Sequence, residues 1–260
     1  RILKSHYLFE KESPDYALAK AILAKAAIDG QNTLFRVLVK LGVFEENENI
    51  DLHRYEIKTD FPNAVEEIAS DMIVSFQSIP NRDGRRDLTS LPVMTIDGQG
   101  TLDFDDALSI EGAGDCIKLG IHIVDVGSFI KKGDVIDREA QSRGSSIYMP
   151  DHKISMLPAS LAEGLCSLKA DEVRPAISTM INVLPTGEIS DYEIFASLIK
   201  VDQQLTYDDV NIVADQNNEM IVLRDIAEKF RARRLEAGAV QITVPEINAW
   251  VNDAGEVSVN

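Results

Sequence analysis

Thr95-Ile96-Asp97-Gly98-Gln99-Gly100-Thr101-Leu102-Asp103-Phe104-Asp105-Asp106-Ala107-Leu108 sets four carboxylates in one short segment with apolar residues on both sides. Pro92 to Ile96 reads as the end of a buried strand, and Ile110 and the run Ile117 to Val126 as neighbouring strands. The aspartates are therefore expected on a loop held against a core. Carboxylates crowded into one pocket raise each other's pKa values, and a divalent cation removes that repulsion while orienting oxygen ligands. An all-aspartate donor set suits magnesium or manganese better than zinc. The competing reading is a solvated acidic loop, the ordinary fate of a charge cluster in a chain with 43 Asp and Glu. The interleaving of Leu102, Phe104, Ala107 and Leu108 with the aspartates favours the metal site. On an extended backbone Asp103 and Asp105 share one side while Asp106 points the other way. An EF-hand fits worse, because its glycine and terminal glutamate are not at the required offsets from Asp103.

Outward from this segment, strands dominate from Leu91 onward, with hairpin turns at Gly112-Ala113-Gly114-Asp115, Pro185-Thr186-Gly187-Glu188 and Asn252-Asp253-Ala254-Gly255. One strong helix interrupts them, Glu219 to Glu236, with Ile221, Val222, Ile226 and Phe230 on an apolar side. Its cationic end, Arg231, Arg233 and Arg234, suits the helix dipole. Upstream, Ser13-Pro14 starts a helix whose face is Ala17, Leu18, Ala21, Ile22 and Ala26 and whose end is Asp29-Gly30. A second helix runs from Thr33 to Leu41 and stops at Gly42, and Ala64 to Phe76 is another. This helical hairpin reads most simply as a packing or linking element; Arg36 and Lys40 make only a weak basic face. The fold class is α+β: a largely antiparallel sheet domain with helices, preceded by a helical region over residues 1–80. No internal repeat or glycine-rich phosphate loop is present.

The segment resembles the signature of the ribonuclease II and ribonuclease R family, whose RNB-type catalytic domain carries an aspartate, a gap of five residues and then Asp-x-Asp-Asp. Asp97, Asp103, Asp105 and Asp106 fall on that spacing. Arg86-Asp87-Leu88, His122-Ile123-Val124-Asp125-Val126, Tyr148-Met149-Pro150, Met156-Leu157-Pro158, Leu165-Cys166-Ser167-Leu168, Glu172-Val173-Arg174-Pro175-Ala176 and Leu205-Thr206-Tyr207-Asp208-Asp209-Val210 are similar to family segments in the same order. The resemblance spans residues 86–260 and implies a magnesium- or manganese-dependent hydrolase that degrades single-stranded RNA from its 3′ end to nucleoside 5′-monophosphates. It implies Asp97 and Asp106 as direct ligands of a tightly held ion, Asp103 and Asp105 as supports of a second ion or of the water, and Asp105 as the most rate-sensitive position. Two ions about 4 Å apart can steady both the attacking and the leaving oxygen. By the same resemblance Tyr148 stacks on the terminal nucleotides and Tyr207 helps read the sugar, where the 2′-OH marks RNA. Arg174 either contacts a phosphate or, standing before a proline, caps a strand or pairs with Glu172, and its sequence context does not decide among these. His122 reads as a packed core histidine and Asp125 as a local structural residue.

Three features cut against an intact nuclease. The family's downstream arginine motif is not reached before Asn260, Ile242 stands where an aromatic commonly stacks on RNA, and no oligonucleotide-binding barrel follows; the chain is expected to be a piece of a longer protein. Lys and Arg total 26, so the formal net charge is −17 and the pI near 4.6, whereas RNA-binding surfaces are usually basic. That balance sustains an alternative, a non-catalytic relative serving as an RNA-associated or protein-interaction module. No apolar run approaches bilayer length and the start lacks a secretory signal, so a membrane partner is not expected and the cytoplasm is the default location. Cys116 and Cys166, without ligand spacing, read as buried thiols in a reducing compartment. Nothing in the sequence names a protein partner.

Overall fold

Two units make up the chain, Arg1–Asp60 and Phe61–Asn260. They are seen in a computed structural model that describes residues 1–260 except 77, 80, 81, 114, 115, 151, 214–216, 243–248, 252–255 and 260.

The first unit is helical throughout: α1 (Ile2–Phe9), α2 (Tyr16–Lys25), α3 (Gln31–Lys40) and α4 (Ile50–Arg54). Leu8, Leu34, Leu38 and Phe44 form its core, and the rings of Tyr7, Phe35 and Phe44 meet pairwise at 5.6–5.9 Å. The expected hairpin is thus two of four helices. Helix α2 stops short of Asp29-Gly30 because Ala27 turns left-handed (φ 52°), which lets the Ile28 N–H reach the Leu23 carbonyl at 3.0 Å and close the helix end. Its expected apolar face is also displaced. Ala19 is buried and Leu23 packs on the core, whereas Leu18 and Ile22 are exposed.

The second unit opens with α5 (Asn63–Ser75) and then builds one sheet from β1 (Arg86–Asp87), β2 (Val93–Asp97), β3 (Asp106–Ala113) and β4 (Cys116–Val124). Helix α6 (Val135–Arg143), the small hairpin β5 (Ile147–Tyr148) and β6 (Lys153–Ile154), and a π-helical turn, Leu161–Leu165, come next. The sheet resumes with β7 (Val173–Val183) and the long β8 (Ile189–Thr206). Helices α7 (Tyr207–Val213) and α8 (Asn218–Glu236) and the hairpin β9 (Ala249–Val251) with β10 (Val257–Val259) complete it.

Strands β2, β3, β4, β7 and β8 pair in succession, antiparallel except where β1 and β2 run parallel to β8. Strand β8 pairs with β7 from Ile189 to Lys200 and with β2 from Val201 to Thr206, so its length closes the sheet into a ring. Val93, Ala107, Val124, Ala176, Ile199 and Val201 pack together in the core. A polar chain is buried as well. His122, fully buried, bridges Ser109 Oγ (2.9 Å) and Ser178 Oγ (2.7 Å), and Ser178 reaches Ser197 Oγ at 2.6 Å. That satisfied network explains why a histidine is tolerated inside.

Helix α8 packs Val222, Ile226 and Phe230 on Leu119, Ile181 and Val183. Near its C-terminal end, Lys229 and Arg233 bond the carbonyls of Pro185 and Gly187 (2.9 and 2.8 Å), so these cations hold the β7–β8 turn. That turn lies where the sequence predicts it. The turn at Gly112–Asp115 falls partly, and the one at Asn252–Gly255 wholly, outside the described residues. Cys166 is buried, its thiol pushed up to about 12 by burial, while Cys116 is only half-buried. Among the described residues no helix is long and apolar enough to cross a membrane.

Candidate active site

The aspartates are held by the ring's own hydrogen bonds. Strand β2 ends at Asp97, paired with Thr206 at the end of β8, and β3 begins at Asp106, paired with Ile123 of β4. The loop between is pinned from beneath by Ser167, a fully buried residue. Its hydroxyl donates to the Leu102 carbonyl (2.9 Å) and accepts from the Phe104 N–H (3.0 Å), while the Leu168 N–H bonds the Phe104 carbonyl at 2.8 Å. Phe104 packs on the core and Ala107 is buried, as the interleaved pattern predicts, but Leu102 is exposed. With both flanks of Phe104 fixed, Asp103 and Asp105 have little freedom of placement.

Asp97, Asp103, Asp105 and Asp106 line one cleft of about 770 Å³, together with Tyr148 and Tyr207. The expectation that Asp106 would face away does not hold. Residues 101–105 are not in a strand, so the two-residue alternation does not carry across to the first residue of β3. Burial pushes the Asp97 carboxyl above the usual range, and the nearby charge of Asp106 adds to it. Asp105 is open to solvent on one side, yet desolvation and then the charges of Asp103, Asp106 and Asp97 raise its pKa too. Asp97 Oδ2 and Thr95 Oγ1 are buried without a hydrogen-bond partner of ordinary geometry; Thr95 only weakly opposes the Asp97 shift. Such an orphaned acceptor among mutually repelling carboxylates is the donor chemistry of a hard divalent cation. In this respect the residues fit one. Among the described residues, no three carboxylate, imidazole or thiolate side chains stand close enough to form a ready ligand set.

Asp103 differs from the other three. Tyr148 donates its hydroxyl to Oδ2 at 2.9 Å, and Lys153 Nζ lies 3.1 Å from Oδ1. Burial and the bond to Asp103 raise the Tyr148 phenol pKa, so the hydroxyl stays a donor. Tyr148 sits on β5 with its ring largely exposed. Tyr207 is delivered by a reciprocal cap: the Thr206 hydroxyl accepts from the Asp209 N–H (3.1 Å), and Asp209 Oδ2 accepts from the Thr206 N–H (2.9 Å). That fixes the start of α7 at Tyr207, whose exposed ring comes to the cleft.

Arg174 is elsewhere. It is buried, and its guanidinium donates to the Ser167 and Gly164 carbonyls (3.0 and 3.3 Å) and pairs with Glu172. Of the roles left open by sequence, this includes the pairing with Glu172, and the residue does not line the cleft. Asp125 is a structural partner as expected, bonding the buried Arg85 at 2.5 Å. Sequence reasoning missed Lys153, Glu163 and Ser167. Lys153 and Glu163 join at 2.8 Å on the cleft wall. The one available signal was that Ser167 and Lys153 lie in or beside the family-like segments already singled out.

A family model described as the RNB domain matches residues 85–260, and one described as a double HTH domain matches residues 1–50. Ribonuclease R of Thermotoga maritima is 31% identical over 256 residues, covering 91% of this chain and 36% of its own length. The structure is similar to that of Mycoplasma genitalium RNase R in complex with ribose methylated single-stranded RNA, with a TM-score of 0.72 and 25% identity over 80% of this chain and 34% of that one. It is also similar to yeast Ssd1, described as a pseudonuclease, with a TM-score of 0.56 and 26% identity over 62% of this chain and 21% of that one. The chain spans about a third of the length of the curated relatives it matches, 34% and 36% for two of them.

Proposed function

The chain belongs to the RNB-domain family of ribonucleases, and from that footing we propose that it carries the hydrolytic centre of a metal-dependent 3′-to-5′ exoribonuclease acting on single-stranded RNA. One observation carries the reading: a loop pinned by Ser167 brings four aspartates to a cleft that also presents two exposed tyrosine rings. Asp97, Asp105 and Asp106 are the residues that would hold magnesium or manganese, drawing closer together to do so than they stand in the structure. Such an ion supplies Lewis acidity at phosphorus and a more acidic attacking water. Tyr148 offers a face on which the terminal base stacks whatever its identity, and Asp103 fixes the plane of that ring through its hydroxyl. Tyr207, at the other side of the aspartate loop, is suited to the ribose, whose 2′-OH separates RNA from DNA. Asp105, whose pKa is raised by burial and by the neighbouring carboxylates, would accept a proton from the attacking water, while the 3′ oxygen released from phosphorus takes its proton from solvent.

The test is 3′ shortening of a labelled single-stranded RNA and release of nucleoside 5′-monophosphates in Mn²⁺ or Mg²⁺, with Asp105→Asn alongside. Shortening that the variant abolishes while RNA binding persists supports the reading. Equal shortening by both proteins overturns it.

A second reading is favoured by the net charge of −17 and the likeness to a pseudonuclease: a non-catalytic RNB relative that binds RNA or a protein. RNA binding with no monophosphate release from the unaltered protein in either metal would establish it.

A further inference from the structure

Lys153 is the one lysine or arginine among the described residues lining the acidic cleft. Two separate pieces of backbone build its setting. The β5–β6 pairing places Tyr148 directly opposite Lys153, and the turn Leu161–Leu165, kinked at Gly164, supplies Glu163. Arg174 ties down that turn through the Gly164 carbonyl. The ammonium is then held 2.8 Å from Glu163 Oε1 and 3.1 Å from Asp103 Oδ1, while Tyr148 donates to Asp103 Oδ2. Both oxygens of Asp103 are engaged by protein donors. A dication sharing that carboxylate would stand a few ångström from a fixed positive charge, at a cost that rises as water leaves the cleft.

We propose that Lys153 is the resident cation of the cleft. It withdraws Asp103 from the ion-binding set, so that the cleft takes one divalent ion, on Asp97, Asp105 and Asp106, rather than two. Asp103 then serves as a positioning residue for Tyr148, in place of the second-ion support that the family resemblance implies. The inference rests on the metal-dependent reading above and narrows it. It also accounts for the difference among the four aspartates: Asp97 keeps a buried oxygen without a partner, whereas Asp103 has none to spare.

Mn²⁺ titration of the full chain by calorimetry tests this, with thermal melts to establish that each variant folds. The unaltered chain should bind one equivalent. Lys153→Met, which keeps the length of the side chain and removes its charge, should bind a second, because Asp103 and Glu163 are released together. The charge-neutral pair Asp103→Asn with Lys153→Met should return to one equivalent with a Kd within about threefold of the unaltered chain, the scale of one exposed charge pair. Two equivalents on the unaltered chain, one on Lys153→Met, or loss of binding in the paired variant each overturns the inference while leaving the metal reading standing. No binding by the unaltered chain overturns the metal reading, and with it the inference that rests on it. Should Lys153→Met fail to fold, the paired variant decides.

Discussion

His122 should make the stability of the sheet unit depend on pH between about 4 and 6.5. The imidazole is fully buried, with Nε2 2.9 Å from Ser109 Oγ and Nδ1 2.7 Å from Ser178 Oγ. Burial depresses its pKa from 6.5 to about 4. In that window the unfolded chain binds a proton that the folded chain refuses, so stability falls as pH drops through 6.5 and levels off near 4. Over the interval from 6.5 to about 4, at about 1.4 kcal/mol for each tenfold change in proton affinity, the full effect is of order 3 kcal/mol. The raised carboxyls of Asp97 and Asp105 act in the opposite sense, since the folded state keeps their protons to higher pH and gains stability as pH falls towards the ordinary carboxylate range. The comparison with His122→Gln removes them from the result. Gln offers an amide donor and acceptor in place of the ring nitrogens but does not titrate in this range. Urea midpoints measured from about pH 7.5 down to about pH 4.5 should show the gap between the two proteins shrinking or reversing as pH falls. Parallel curves would refute the reasoning, because they would mean that His122 exchanges no proton on unfolding.

Gly120 lies beside the same network, and a Cβ built there would fall 2.3 Å from Ser109 Oγ and 2.6 Å from His122 Nε2. Gly120→Ala should therefore lose about 1–3 kcal/mol by overpacking, read as a lowered urea midpoint with unchanged slope. At the cleft, Tyr148→Phe keeps the stacking ring and loses the bond to Asp103, whereas Tyr148→Ala loses the ring. In an RNA-binding titration the alanine variant should be weakened by about 1–3 kcal/mol and the phenylalanine variant by much less. If the two are weakened alike, the hydroxyl and not the ring makes the contact.

The aspartate cluster was legible because its members are neighbours in the chain. A strand end, a loop and a strand start bring Asp97 and Asp106 together by local geometry alone, and the apolar Phe104 and Ala107 mark where the loop meets the core. Tyr148 and Tyr207 came from resemblance; their own spacing from the aspartates says nothing, since a hairpin and a capped helix start bring them back across 45 and more residues. Ring closure was not legible. The pleat of β8 is the same whether its partner is β7 or β2, and only the pairing of Val93 with Val201 shows that the strand changes partner after Lys200.

Helix α2 failed for a related reason. Ala17, Leu18, Ala21 and Ile22 and the pair Ala19 and Leu23 are two apolar stripes of one alanine-rich helix, and periodicity cannot choose between them without the core formed by Leu8, Leu34, Leu38 and Phe44. Lys153 and Glu163 went unnoticed because opposite charges ten residues apart are unremarkable until a hairpin and a π-helical turn set them 2.8 Å from each other beside Asp103. Arg174 shows the limit most sharply. The same planar fork suits a phosphate or a pair of carbonyls and a carboxylate, and what decides is the position of Gly164 and Ser167, which only the folded chain supplies. The resolution still bears on the site: by holding the backbone of Ser167, whose hydroxyl holds Leu102 and Phe104, Arg174 reaches the aspartates through two hydrogen-bonded steps rather than by touching RNA.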